Sequence, residues 1–219
     1  MKHPALPYVL PFAVFMAFVA LGDVFGLGEW EFPFRVFVLS VVLWVFSRHA
    51  IDVRPAWWIG SVLVGIAVFF LWIAPDALIP GYRTHWLFQN SITGKVTSSI
   101  PEGFHLSTMV LLFRTIRAVI IVPLVEELFW RGWLMRWLIN PDFKSVPMGA
   151  YKPAAFWITA LLFASEHGPY WEVGLLAGIV YNAWIVKTKR LADCIVAHAV
   201  TNALLCVYVI GWGKWEYWL

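Results

Sequence analysis

Long apolar runs separated by short polar turns predict a bundle of about seven membrane-spanning helices. A helix of roughly 20 apolar residues is long enough to cross the hydrocarbon core of a bilayer. Pro75 is predicted to end the third helix, and Pro123 to kink the fourth. The predicted spans are 5–21, 34–46 with a start as early as residue 30, 57–74, 108–138, 153–167, 171–186 and 191–210.

Residues 76–107 form the one long polar segment of the sequence. It contains proline and glycine residues at Pro80-Gly81, Gly94 and Pro101, which is typical of a loop. It is either a plain exposed loop or a lid over a membrane-embedded site, and the sequence leaves both open. Loops of this length are often functional, so we expect partial order.

Composition supports the membrane interpretation and excludes several other classes. Of the 219 residues, 61% are hydrophobic and 13% are charged, and the mean hydropathy is +0.75. A soluble domain carries about 25% charged residues. The net charge of +3 comes from basic residues in short turns, with no basic run interleaved with aromatics. Nucleic acid is therefore excluded as a partner, and the lipid bilayer is expected as one.

The signs of the turn charges predict an orientation. Positively charged turns tend to remain cytoplasmic. Seven spans then place the N-terminus inside and the segment 76–107 outside, in a single transmembrane domain over residues 1–219. The basic set predicted to be cytoplasmic is Lys2, Arg48, Arg54, Arg136, Lys144, Lys152 and Lys187–Arg190, and the acidic set on the other side is Asp23, Glu29, Glu31, Glu166 and Glu172.

Charged residues inside the fourth apolar run mark a candidate site. Glu126, Glu127 and Arg131 lie at a depth where charge is costly unless it is paired or used. Glu127 and Arg131 are four residues apart and share a helix face, so we expect them to pair. Glu126 is rotated by about 100° from Glu127 and is left free to face something else. A purely structural ion network is the alternative.

Helical rise brings further polar residues to the same depth. Measured from the inner surface, Glu126 is expected roughly 18 Å up and His167 roughly 21 Å up. His198 and Asn202 are expected roughly 10 and 16 Å up, on one face of the last helix. Considered singly, His167 is more typical of a helix end, and His198 and Asn202 of hydrogen bonds between helices.

Three motifs in this order resemble the signature of the CAAX-protease and bacteriocin-processing family of intramembrane endopeptidases. They are Glu126-Glu127-x-x-x-Arg131, Phe163-x-x-x-His167 and His198-x-x-x-Asn202. The resemblance covers about residues 108–206, which would be the catalytic core. Residues 1–107 would then supply N-terminal helices and the long non-cytoplasmic loop.

The resemblance implies hydrolysis of a peptide bond in a protein or peptide substrate, without a cofactor. Glu126 would activate a water, with His167 hydrogen-bonded to the same water or to the carboxylate. His198 and Asn202 would donate to the developing oxyanion. Glu127 and Arg131 would fix the position of the helix that carries Glu126, and Phe163 would pack beside His167. The short, tryptophan-rich chain also resembles bacterial members linked to exosortase-type protein sorting, which implies the bacterial inner (plasma) membrane.

Two other functions remain open at this point. Glu126, His167 and His198 match the ligand types of a catalytic zinc, although no HExxH pair is present. A non-catalytic membrane scaffold or immunity protein could keep the motifs for packing. Glu166 is interpreted as a boundary residue facing water, Arg114 and Arg117 as residues of the outer interface or of a water-filled cavity, and Cys194 and Cys206 as buried and unbridged.

Overall fold

The computed structural model describes residues 3–22 and 26–218, and these form an all-α bundle of seven helices in the predicted order. Four helices, Gly28–Ser47, Trp58–Leu78, Thr108–Trp137 and Leu191–Trp212, are long and apolar enough to cross a membrane, whereas Leu6–Leu21 and Pro153–Ser165 are apolar but shorter. The prediction of a helical membrane bundle is confirmed. The helices are α1 Leu6–Leu21, α2 Gly28–Ser47, α3 Trp58–Leu78, α4 Thr108–Trp137, α5 Pro153–Ser165, α6 Trp171–Thr188 and α7 Leu191–Trp212.

Contacts between turns show that successive helices run in alternate directions. At one end, the Ser47 hydroxyl donates to the Pro7 carbonyl over 2.6 Å, and the Trp57 amide donates to Asp193 over 2.9 Å. At the other end, the Ser107 hydroxyl donates to Glu29 over 2.7 Å. The first end carries the turns predicted to be cytoplasmic. Lys2 and Asp23, which also entered that prediction, lie outside the described residues.

The end of α3 corrects one prediction. Pro75 was expected to stop the helix, but the helix continues through Pro75 to Leu78. A proline inside a helix removes one backbone hydrogen bond, but one further turn can still form beyond it. That turn is held by the Ile79 amide, which donates to the Pro75 carbonyl over 3.0 Å, and by Asp76, which pairs with Arg83 over 3.0 Å.

The helix α4 is irregular on both sides of Pro123. Residues Arg117–Ile121 and Leu128–Leu134 form π-helical turns, and Val122–Glu127 between them is α-helical. Pro123 has no amide hydrogen to donate, and a wider turn before it accommodates the missing bond. Widened turns of this type are frequent at functional sites, and here they bracket the pair of adjacent glutamates.

Close packing of α3 against α7 fixes the position of the last helix. A Cβ added at Gly65 would lie 2.4 Å from the Ala197 carbonyl oxygen, so the two backbones touch. The Thr201 hydroxyl donates to the Gly65 carbonyl over 2.9 Å. At the end of this contact the buried Asp193 accepts hydrogen bonds from Trp57 and Ser61 and so caps the start of α3.

The long segment between α3 and α4 is ordered and packs on the bundle. It contains short 3₁₀ turns at Tyr82–Thr84 and Glu102–Phe104. The side chains of Phe88 and Ile100 are buried, and the Ser99 amide donates to the Trp218 carbonyl over 2.7 Å. The prediction that this segment is at least partly ordered is confirmed.

Candidate active site

The two adjacent glutamates of α4 point in different directions, as their helical angle requires. Glu127 is fully buried and faces α7. Glu126 is 5% exposed and lines a cavity between the helices. Within the described residues, Glu126 Oε2 has no hydrogen-bond partner, although it is buried. A buried carboxylate oxygen without a partner is costly, so this atom is a candidate for chemistry.

The carboxylate of Glu127 joins α4 to α7, and its partner Arg131 extends the network to α6. Its Oε1 accepts from Arg131 Nη1 over 3.0 Å and lies 2.9 Å from His198 Nδ1. Arg131 in turn donates to Asn182 over 2.9 Å and to the Gly178 carbonyl over 3.3 Å. The expected pair of Glu127 and Arg131 is therefore present, and it also orients the ring of His198.

His167 lies just beyond the end of α5, with its ring packed against α6. Its Nδ1 lies 2.7 Å from the Phe163 carbonyl oxygen, which can only accept, so Nδ1 carries the proton. The neutral ring then has a free lone pair on Nε2. A Cβ added at Gly174 would lie 3.1 Å from the ring, which explains a glycine at this position of α6. Trp72 closes the other side, at 5.2 Å between ring centroids.

Glu166 corrects the sequence interpretation. It was expected to face water at a boundary, but it lines the same cavity as Glu126. One oxygen of each of these carboxylates and one ring nitrogen of His167 all lie within 4.8 Å of one another. Oε1 of Glu166 accepts from Trp130 Nε1 over 3.0 Å, and its Oε2 has no partner in the described part of the chain.

Glu166 was missed because it is at the end of α5, where acidic residues are usually solvated. The helix ends at Ser165, and the next residue, Glu166, is held beside α4 by the hydrogen bond from Trp130. A usable signal was present in the sequence, since Glu166 is adjacent to the motif residue His167.

His198 and Asn202 of α7 both line the cavity, as their four-residue spacing predicted. His198 Nε2 lies 4.0 Å from Glu126 Oε2, while its Nδ1 is held by Glu127. The ring also stacks on Tyr181, with centroids 5.2 Å apart. Asn202 Nδ2 donates one hydrogen to the Ala118 carbonyl over 2.8 Å, which leaves its second N–H for another acceptor.

The cavity has a volume of about 250 Å³ and runs along α4 between α1 and α7. Arg114 lines it about 18 Å of helix away from Glu126, so the cavity leads from the glutamates toward the end of the bundle that carries the long loop. Arg117 and both cysteines are also buried, and the cysteines are free thiols. Further lining residues include Phe15, Val19, Trp72, Tyr181, Thr201, Tyr217 and Trp218.

The long loop contacts the turn that carries His167, but it does not line the cavity. The buried Arg83 donates to the Pro169 carbonyl over 2.6 Å and pairs with Glu172 over 2.7 Å. A Cβ added at Gly168, whose φ is +51°, would lie 2.9 Å from the Thr93 carbonyl oxygen. None of the described residues of 79–107 lines the cavity. These contacts of Arg83 and Thr93 therefore hold the turn at 168–170 from outside the cavity, and we call them the brace.

Buried glutamates and a buried histidine inside a bundle of apolar helices define a membrane protein with ionisable side chains lining a cavity among its helices. The family model described as type II CAAX prenyl endopeptidase Rce1-like matches residues 108–204. This match confirms the resemblance to the CAAX-protease family over this part of the chain. Comparisons with curated proteins and with solved structures gave no significant match.

The match and the helices together support a general assignment. They indicate an integral membrane protein that is a protease, an endopeptidase of the intramembrane type, with a protein or peptide substrate. The matched range contains Glu126, His167, His198 and Asn202, and it also contains Glu166.

Proposed function

We propose that the protein hydrolyses a peptide bond with a water activated by Glu126. The observation that carries this proposal is the meeting of Glu126, Glu166 and His167, whose nearest donor and acceptor atoms lie within 4.8 Å of one another. A point no more than about 2.8 Å from all three atoms therefore exists, and a water there lies within hydrogen-bond distance of each. Glu126 takes a proton from this water, and His167 Nε2 accepts its second hydrogen bond.

The second half of the mechanism needs donors for the oxyanion, and His198 and Asn202 supply them. Because Glu127 holds the Nδ1 proton of His198, the ring donates from Nε2 only as an imidazolium. Asn202 offers the N–H that is not bonded to the Ala118 carbonyl. Two such donors stabilise a tetrahedral intermediate as its oxygen becomes charged.

Location and partners are proposed from the resemblance of the sequence. We propose that the protein spans the bacterial inner membrane, with the basic turns such as Lys187–Arg190 in the cytoplasm and the long loop outside. A link to an exosortase-type sorting system is proposed on the same ground.

Replacing Glu126 with glutamine tests the proposal. The variant Glu126→Gln should keep the fold and lose cleavage by on the order of 10³-fold or more, because glutamine cannot accept the proton of the water. The assay follows purified protein in detergent micelles acting on a mixture of internally quenched fluorescent peptides. Glu102→Gln, an exposed change at the surface, is the matched control and should cleave at the rate of the unaltered protein. Equal cleavage by both variants would reject the proposal.

Replacing Arg83 tests whether the brace positions His167. In Arg83→Ala the turn at Gly168–Tyr170 loses its bond from the loop, so the ring of His167 should shift relative to Glu126. A misplacement of about 1 Å can cost on the order of 10²-fold in rate, so kcat should fall about 10-fold to 100-fold with little change in KM.

The control for this change is Lys95→Ala, at an exposed position of the same loop. It should leave kcat and thermal stability unchanged. If Arg83→Ala lowers only the thermal stability, with kcat per folded molecule unchanged, the brace supports the fold and not the position of His167.

Metal-dependent hydrolysis is a second candidate function, and one observation favours it. Glu126, Glu166 and His167 are ligand types that a divalent cation accepts, and His167 Nδ1 is fixed by a carbonyl as in many metal-binding histidines. This set differs from the zinc ligands predicted from the sequence, because Glu166 takes the place of His198, whose Nδ1 is bound by Glu127.

A further inference from the structure

The residues that follow α7 fold back over the bundle and reach the cavity. Residues Trp215–Tyr217 form a 3₁₀ turn, and Tyr217 and Trp218 line the cavity together with Arg114. Arg114 marks the end of the cavity that is remote from Glu126 and near the long loop. Residues 214–218, which we call the 214–218 turn, therefore lie across the loop end of the cavity.

Contacts with α3, α4 and the long loop hold the 214–218 turn in place. The Trp218 carbonyl accepts from the Ser99 amide over 2.7 Å, and the Tyr217 hydroxyl donates to Asp76 over 3.1 Å. The guanidinium of Arg114 lies 5.4 Å from the centre of the Trp218 ring, within the range of a cation–π contact. The turn is therefore a fixed part of the cavity wall.

The cavity is covered at the loop end and exposed at one side. Trp218 is 3% exposed although it lines the cavity, so its ring occupies the loop end and is itself covered. Val19 of α1 also lines the cavity and is 55% exposed, close to the exposed Leu21. The exposed side of the cavity therefore lies along an apolar helix, where its neighbours are lipid chains and not water.

We propose that Tyr217 and Trp218 determine which substrates reach Glu126, because they close the loop end of the cavity to peptides dissolved in water. A peptide in water keeps its polar backbone hydrated, and the apolar side at α1 offers no replacement for that hydration. The substrate is then a protein segment that already lies within the bilayer and enters beside α1. This inference rests on the proposed function and names its substrate class.

The two cysteines report on the closed end without any need for catalysis. Cys206 lines the cavity and packs in the same buried cluster as Trp218, whereas the fully buried Cys194 is not among the described lining residues. Both are free thiols. The probe is a charged, water-soluble methanethiosulfonate applied to purified protein in detergent micelles, with labelled sites identified by mass spectrometry. In Trp218→Ala, Cys206 should react at least about tenfold faster, and Cys194 should remain unlabelled.

Substrate choice is tested with two forms of one peptide. The first is the quenched peptide that the unaltered protein cleaves fastest, and the second is the same peptide fused to a leucine–alanine helix of about 20 residues, which anchors it in the micelle. Trp218→Ala should raise the ratio of soluble to anchored cleavage by at least about fivefold. Trp218→Phe should raise it less, because the phenyl ring still fills part of the loop end.

The ratio is the decisive readout, because it does not depend on the fraction of folded protein. Lys214→Ala, an exposed change in the same turn, is the control and should leave both the ratio and the labelling unchanged. An unchanged ratio in Trp218→Ala would overturn the inference, and so would unchanged labelling of Cys206. The labelling is repeated in Glu126→Gln with and without Trp218→Ala. Normal cleavage by Glu126→Gln, with the faster labelling still seen, would reject the proposed function while confirming the closed end.

Discussion

Replacing Glu127 with alanine should lower the free energy of unfolding by about 3–5 kcal/mol, the range for removing one partner of a buried ion pair. The side chains of Glu127 and Arg131 are both fully buried, so water cannot replace the lost carboxylate. His198 loses its anchor in the same variant, because its Nδ1 lies 2.9 Å from the same oxygen. The measurement is thermal unfolding of purified protein in detergent micelles.

A surface ion pair provides the matched control. Asp52 and Arg190 lie 3.4 Å apart with side chains 60% and 52% exposed, so Asp52→Ala should leave the unfolding temperature nearly unchanged. An equally small effect of Glu127→Ala would mean that the buried pair does not hold the helices together.

Removing either oxyanion donor should reduce turnover by on the order of 10²–10³-fold without unfolding the chain. His198→Ala and Asn202→Ala each delete one group that lines the cavity. The fold should survive because Glu127 keeps Arg131 as its partner in the first variant. The second variant loses one hydrogen bond, to the Ala118 carbonyl, worth about 1 kcal/mol.

A nearly isosteric change sharpens this prediction. Asn202→Asp keeps the size of the side chain but replaces its N–H donors with a carboxylate, which repels a developing oxyanion, so its turnover should be no higher than that of Asn202→Ala. Asn140→Ala, in the turn after α4, is the control and should cleave at the normal rate. Turnover of Asn202→Asp close to normal would exclude Asn202 as a donor.

Much of this fold follows from patterns that the sequence displays directly. Apolar runs gave the order of the helices, and each helix lies within a few residues of its predicted bounds. Glu126 and Glu127 face different directions, and Glu127 pairs with Arg131, as the angle and spacing of residues on one helix predict. The joint presence of Glu126, His167, His198 and Asn202 in one cavity agrees with their predicted depth.

The features that sequence reasoning missed depend on contacts between distant segments. Glu166 lines the cavity and accepts a hydrogen bond from Trp130 of α4, 36 residues earlier in the chain, and no periodic pattern in the sequence predicts such a contact. The helix α3 passes Pro75 because Arg83, from the following loop, holds Asp76. The helix spacing predicted that His198 faces the site, but not that Glu127 fixes its Nδ1.

Turnover by purified, metal-analysed protein tests the central claim most directly. The assay compares cleavage of the quenched peptides before and after treatment with a strong chelator, with zinc content measured on the same sample. If Glu126 activates the water, the rate should be unchanged by chelation, and Glu126→Gln should be inactive with or without added zinc. Stoichiometric zinc, with activity lost on chelation and restored by zinc, would contradict the glutamate mechanism and make Glu126, Glu166 and His167 metal ligands.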